Sequence, residues 1–204
     1  MDKKPFEYSR EWYENEYHAK GDYNLPERTW DQVQGEWDAK GHHLRFVGFL
    51  HAWANNLNGK NCIDIGCHHA KSMSWCFDEY PAIETFTGVD FSQVAIDWCS
   101  KNFPRSVGVE FISMDVSHLR HLGENKFDVV FCVDMIEHLP WEVYMLMVKG
   151  IKYICKPGGK IVCQIGKTIQ PEHINIIPDQ QAIEDFGLPV DFRHDVYFVL
   201  ENVK

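Results

Sequence analysis

The sequence has no basic surplus. Lys and Arg number 20 against 30 Asp and Glu, for a formal net charge of −10. A sequence-independent grip on DNA or RNA needs clustered cations that replace counterions. Nucleic acid is therefore disfavoured as a partner, and a small or cationic molecule is favoured. No apolar stretch approaches the roughly 20 residues that cross a bilayer. Residues 1–20 are polar, charged and aromatic, without the apolar centre of a signal peptide. The expectation is a cytoplasmic protein with no membrane partner. Seven cysteines occur, with no C-x-x-C pair among them. Cys62, Cys67, Cys76, Cys99, Cys132, Cys155 and Cys163 read as buried, reduced thiols rather than a disulfide framework. Internal repeats and low-complexity tracts are also missing.

The 204 residues suit one domain with a small appended segment. Aromatics make up 14% of the chain. They crowd toward its start, at Tyr8, Trp12, Tyr13, Tyr17, Tyr23, Trp30 and Trp37. Ser9–Lys20 has helical character, with Trp12, Tyr13, Tyr17 and Lys20 near one face; Gly21 and Pro26 then interrupt it. Residues 1–40 form an aromatic-rich helical segment that either packs against the domain or covers its site as a lid. Residues 41–204 form the domain.

Gly41–Asn56 reads as a helix stopped at Asn58-Gly59. Short apolar strands then alternate with helices. The strands are Asn61–Ile65, Thr85–Val89, Val109–Met114, Phe127–Val133 and Lys160–Ile165. The helices are Ala70–Tyr80, Ser92–Phe103, Pro140–Cys155 and Pro178–Phe186. Lys156-Pro157-Gly158-Gly159 reads as a turn, and Asp195–Val203 as a last strand. The alternation implies a parallel sheet with helices on both faces. Ligands of such sheets bind outside the carboxyl ends of the strands. Those ends carry Asp64-Ile65-Gly66, Asp90, Asp115 and Asp134. About 24 residues separate Gly66 from Asp90, close to the interval between a glycine turn and an acid that accepts ribose hydroxyls.

Five pieces in order carry a family resemblance: Ile63-Asp64-Ile65-Gly66-Cys67, Gly88-Val89-Asp90-Phe91-Ser92, Met114-Asp115-Val116, Phe127 through Leu139, and Lys156-Pro157-Gly158-Gly159-Lys160. Together they resemble the class I S-adenosylmethionine-dependent methyltransferases of the broad small-molecule type. The resemblance implies a three-layer Rossmann-like α/β sandwich. Its mostly parallel seven-stranded sheet would have the order 3-2-1-4-5-7-6, with an antiparallel final strand and an N-terminal helical segment. It implies S-adenosyl-L-methionine as cofactor and S-adenosyl-L-homocysteine as product. Asp64, Gly66 and Cys67 would lie against the methionine part, Asp90 would hold the ribose, and Phe91 would pack on adenine. Asp115 would accept the adenine amino group, with Met114 and Val116 beside the ring. Cys132 and Val133 would lie near the sulfonium. The family's first loop usually reads Gly-x-Gly-x-Gly, whereas here His68 and Ala70 hold the later glycine places. His68 either points away, contacts the cofactor carboxylate, or alters the pocket.

Methyl transfer needs a base only if the nucleophile carries a proton it cannot shed. His138, His173 and Asp134 are the candidates, His138 first because histidine titrates near neutrality. A capping role for Glu137-His138-Leu139 competes with catalysis. No metal site is expected, because neighbouring histidines such as His42-His43 and His68-His69 point apart and no Cys/His set completes them. The expected reaction is transfer to an O, N or C nucleophile of a small molecule by a monomer or homodimer. A methyltransferase of protein or nucleic acid, and a non-catalytic cofactor-binding or regulatory protein, are the alternatives. The Asn/Asp-Pro-Pro-aromatic motif of amino methylation is missing; Val133-Asp134-Met135-Ile136 stands in its place.

Overall fold

A computed structural model of the chain describes residues 7–18, 27–39, 41–54, 56–105, 107–167, 170, 172–175 and 177–203. Lys20, Gly21, Tyr23 and Pro26, used above, lie outside the described residues, as does the side chain of Trp37. The sheet has seven strands: β1 (Asn61–Ile65), β2 (Thr85–Asp90), β3 (Val109–Ser113), β4 (Phe127–Val133), β5 (Cys155–Gln164), β6 (Val190–His194) and β7 (Tyr197–Glu201). Their order is β3-β2-β1-β4-β5-β7-β6, as the resemblance implies. β1 to β5 pair in parallel, and β7 runs antiparallel to both β5 and β6.

Strand alternation divides the core into two layers. Ile63, Ile65, Val130, Cys132, Ile161 and Cys163 face α6 (Trp141–Ile154) and α7 (Asp179–Phe186). Cys62, Phe86, Phe131, Val162 and Val199 face α3 (His42–Trp53), α4 (Lys71–Glu79) and α5 (Gln93–Asn102). All seven cysteines are buried free thiols that contribute to these layers as small apolar side chains.

Two elements differ from the sequence reading. Lys156–Gly159 lies within β5, where Gly158 takes a positive φ of 73° and the pairing with β4 shifts register between Phe127 and Val129. The Asn202 amide holds this stretch by donating to the Cys155 carbonyl at 2.8 Å. β6 has no counterpart in the reading. It is an edge strand of mixed composition with mostly exposed side chains, so it lacks the apolar alternation that marks a strand.

The N-terminal segment begins with a short α1 (Arg10–Trp12), N-capped by the Ser9 hydroxyl. It continues as a π-helical turn, Tyr13–His18. The wider turn changes which rings meet. Tyr13 reaches His18 at 6.2 Å as well as Tyr17 at 5.7 Å, so His18 joins the aromatic face. The segment is tied to the domain through the Gln93 backbone N–H, which donates to Glu14 at 2.9 Å. α2 (Trp30–Ala39) follows; Trp30 stacks on Trp98 of α5, and Trp98 donates to the Arg28 carbonyl at 2.9 Å.

Candidate active site

The carboxyl ends of β1, β2, β4 and β5 open into a cavity of about 710 Å³. Of the residues singled out above, Asp64, Gly66, Cys67, His68, Asp90, Phe91, Val116, Val133, Asp134, His138 and His173 line it. Met114, Asp115 and Cys132 lie outside that lining. Cys132 is fully buried beside Cys163 on the α6 layer, because strand alternation turns Val133 toward the cavity instead. Asp115 caps the 3₁₀ turn Val116–Leu122, accepting from the Ser117 amide at 2.8 Å and the Ser117 hydroxyl at 2.6 Å.

The first loop keeps left-handed backbone at three positions although only the first of them is glycine. Gly66, His68 and Ala70 all have positive φ, at 76°, 46° and 56°. A Cβ on Gly66 would sit 2.5 Å from Met135 Cγ, so that glycine is required. His68 and Ala70 adopt a conformation uncommon for residues with a Cβ. Hydrogen bonds hold the loop there. Gly66 and Cys67 donate to the Val89 carbonyl at 2.8 and 3.0 Å. His68 N donates to Asp90 Oδ2 at 2.9 Å, and Ser92 N to Asp90 Oδ1 at 2.9 Å. Asp90 therefore clamps the loop to β2 with both oxygens, each of which retains capacity to accept again. Burial pushes its carboxyl above the ordinary value despite these bonds. Asp64 is buried under Ser72, whose hydroxyl donates to it. Desolvation raises the Asp64 carboxyl to about 7.

The His68 ring turns toward the N-terminal segment. Its Nε2 lies 3.1 Å from His18 Nδ1, and the rings approach to 4.7 Å. Burial lowers the His18 imidazole to about 3, and burial with the neighbouring histidines holds His68 well below the usual range, so both are neutral near pH 7. Tyr8, Tyr13, Tyr17 and His18 all line the cavity, whereas Trp12 does not. Tyr8 stacks on Phe91, with centroids 5.4 Å apart and planes 4° apart. Burial, and after it the neighbouring Asp115 and Asp90 carboxylates, raise the pKa of the Tyr8 hydroxyl.

At the other end, Asp134 has φ +49° and accepts from Gln164 Nε2 at 2.5 Å. A strained residue at a strand end within a cavity is a feature of functional sites. Glu137 is 1% exposed. Its Oε1 accepts from Gly166 N at 2.9 Å, and burial raises its carboxyl to about 7. Its carbonyl accepts from Ile174 N and Asn175 N, at 2.9 and 3.0 Å, which fixes the loop carrying His173. The His138 and His173 rings meet edge to face at 4.8 Å, and burial lowers His138 to about 4. Sequence reasoning named the two histidines separately. It took Glu137 only together with His138 and Tyr8 only among the N-terminal aromatics, and it missed His18 and Gln164.

Residues 63–163 match the family model described as a methyltransferase domain. The chain belongs to the class I S-adenosylmethionine-dependent methyltransferases. The ubiquinone biosynthesis O-methyltransferase of Haemophilus ducreyi is 27% identical over 173 residues, covering 69% of this chain and 72% of that protein. The tRNA U34 carboxymethyltransferase of Campylobacter curvus is 31% identical over 107 residues, covering 52% of this chain and 34% of that protein. The chain thus spans only about a third of the carboxymethyltransferase it matches. In fold, the 1,6-didemethyltoxoflavin-N1-methyltransferase of Burkholderia thailandensis superposes with a TM-score of 0.63 at 12% identity, covering 86% of this chain and 84% of that one. That structure holds S-adenosylhomocysteine and 1,6-didemethyltoxoflavin. S-adenosylmethionine is the cofactor of this methyltransferase family.

Proposed function

We propose that this methyltransferase moves a methyl group from S-adenosylmethionine to a small-molecule nucleophile. The observation that carries the reading is a single cavity shared by two sets of groups. The loop and acids at the ends of β1 and β2 lie on one side. Asp134, Glu137, His138 and His173 lie on the other.

The residues fit the cofactor on structural grounds. The positive φ values of Gly66, His68 and Ala70 keep the loop backbone on the path that the family's glycines take. Asp90 retains acceptor capacity for ribose hydroxyls after its two backbone bonds. Asp64 gives a cation in the cavity a buried carboxyl partner. Phe91 offers an aromatic face to adenine. When bound, the cofactor supplies an electrophilic methyl on a sulfonium. The protein's share is to align the acceptor and exclude water, which at best contributes roughly 7–11 kcal/mol.

Residues 7–18 act as a cap in this reading. Tyr8 holds the Phe91 face and turns toward Asp115, where the resemblance places adenine. The cap must therefore exchange with the cofactor. Because Tyr13, Tyr17 and His18 close over the cavity, a small acceptor fits better than a folded macromolecule. His138 and His173, whose rings meet at 4.8 Å, line the cavity on the side where the acceptor would lie.

A tRNA acceptor is the second reading, favoured by the likeness to the carboxymethyltransferase and opposed by the net charge of −10. Calorimetric titration with S-adenosylhomocysteine should show saturable binding. Transfer of labelled methyl should then be scored with hydroxylated aromatic acids, amines and bulk tRNA. No cofactor binding sinks the methyltransferase reading in favour of a regulatory one. Labelled tRNA with unlabelled small molecules overturns the acceptor class.

A further inference from the structure

Glu137, His138 and His173 bring one ligand atom each to within 4.8 Å of one another. We propose that these three residues bind a divalent first-row transition-metal ion whose open coordination positions face the acceptor side of the cavity. The proposal rests on the methyl-transfer reading only for the ion's purpose, which is to seat an oxygen atom of the acceptor.

Two orphaned groups point to a missing ligand. Glu137 Oε2 and His138 Nδ1 are buried and have no hydrogen-bond partner. A buried acceptor without a donor is costly, and a native protein rarely leaves two side by side. The surroundings orient both. Glu137 Oε1 is held by Gly166 N, which leaves Oε2 as the spare oxygen. The Glu172 backbone carbonyl engages the His138 imidazole. Since Nδ1 is unpartnered, that contact belongs to Nε2. The N–H is then on Nε2 and the lone pair is on Nδ1. Metal-bound histidines are oriented in the same way, with the second ring nitrogen donating to a carbonyl or carboxylate.

Gly166 makes room for the set. A Cβ there would lie 2.1 Å from Glu137 Oε1 and 3.2 Å from His173 Cε1. His173 reaches the site because the Glu137 carbonyl pins the next two amides of its loop.

Two imidazoles and one carboxylate suit zinc, manganese, cobalt or iron better than magnesium, which prefers oxygen ligands and water. Ligand bonds of about 2.0–2.2 Å place donors roughly 3.4 Å apart in a tetrahedral site. The side chains therefore need only a short inward closure. Three protein ligands leave positions open, as in catalytic rather than structural metal sites. Hydrogen bonding between two neutral histidines and a protonated Glu137 is the competing account, and it requires no ion.

The test uses the whole chain, stripped with chelator and then titrated with Co²⁺ and separately with Zn²⁺. One equivalent of Co²⁺ should bind with visible d–d absorption, and Zn²⁺ should displace it. His173→Asn and Glu137→Gln should each weaken Co²⁺ binding by about 10- to 100-fold. S-adenosylhomocysteine affinity should stay within about threefold. His173 lies on a loop, and Gln at 137 still accepts from Gly166 N, so both variants should melt within about 4 °C of the wild type. Absence of saturable binding of either ion below about 1 mM overturns the proposal. So does Co²⁺ binding that is undiminished in both variants, which would place the ion on other histidines. Metal binding without S-adenosylhomocysteine binding sustains the ion site while sinking the methyltransferase reading.

Discussion

The two ends of the cavity are built on opposite principles. At the ends of β1 and β2, the acids are already engaged by the fold. Asp90 accepts two backbone amides, and Asp64 accepts the Ser72 hydroxyl. At the ends of β4 and β5, Glu137 and His138 each keep a buried polar atom without a partner. The first end is a frame whose acids are complete within the fold. The second is left incomplete until a ligand arrives. The distinction predicts where mutation damages the fold and where it damages only binding.

The largest expected effect is at Asp90. Asp90→Ala strands the amides of His68 and Ser92, two donors enclosed by the fold. At about 1–3 kcal/mol for each, the loss should be about 2–6 kcal/mol of stability, together with the loss of cofactor binding. Glu137→Gln should cost under about 1 kcal/mol, because Gly166 N keeps an acceptor. Urea unfolding of both variants checks the pair. Equal destabilisation would erase the contrast between the two ends.

Next comes the pH dependence of Asp64. Its folded value, about 7, stands above the ordinary value of 3.8 because of burial. The neutral form therefore contributes to stability below the unfolded value, and that contribution is lost as pH rises through about 7. A bound cation reverses the preference and draws the proton off. Affinity for S-adenosylhomocysteine, through its ammonium, should rise between about pH 6 and 8, by at most about tenfold per unit. Calorimetry across that range should give a slope in the wild type and none in Asp64→Asn. A flat wild-type profile would mean that the bound cation lies away from Asp64.

A smaller effect is expected at Tyr8, which belongs to neither end but sits over the first. Its ring stacks on Phe91, a contact of about 0.5–1.5 kcal/mol. If the cap must yield that face to adenine, Tyr8→Ala tightens cofactor binding by about two- to tenfold. Weaker binding would show instead that Tyr8 covers a bound adenine rather than competing with it.

The same contrast governs what could be read in the sequence. The frame was legible because strands β1 to β5 are short apolar runs separated by helices, and each ends on an acid or glycine. The strand order followed from the resemblance, not from periodicity. Glu137 and His173 were harder, since 36 positions and all of β5 separate them in the chain. Among the described residues, the hydrogen bonds from Ile174 and Asn175 to the Glu137 carbonyl help bring them together. His18 was missed for a local reason. An α-helical period leaves it off the Tyr13–Tyr17 face, and the π-helical turn returns it there. Cys132 was assigned to the cofactor by its place at a strand end, but the alternation of β4 turns its side chain into the core.

The smallest effect tests whether the frame carries strain. Ala70 has φ +56° and is fully buried. A residue with a Cβ in this region is disfavoured by about 1–2 kcal/mol. Ala70→Gly relieves that cost but removes a buried methyl, worth about 0.8 kcal/mol, and frees the unfolded chain. The terms nearly cancel, so stability should change by under about 1 kcal/mol. Cofactor affinity is the more telling readout. The loop path is already set by the Val89 carbonyl and by Asp90, so glycine should leave affinity within about twofold. A large gain in affinity would mean that the alanine holds the loop away from its ligand-bound path. The first end of the cavity would then be as unfinished as the second.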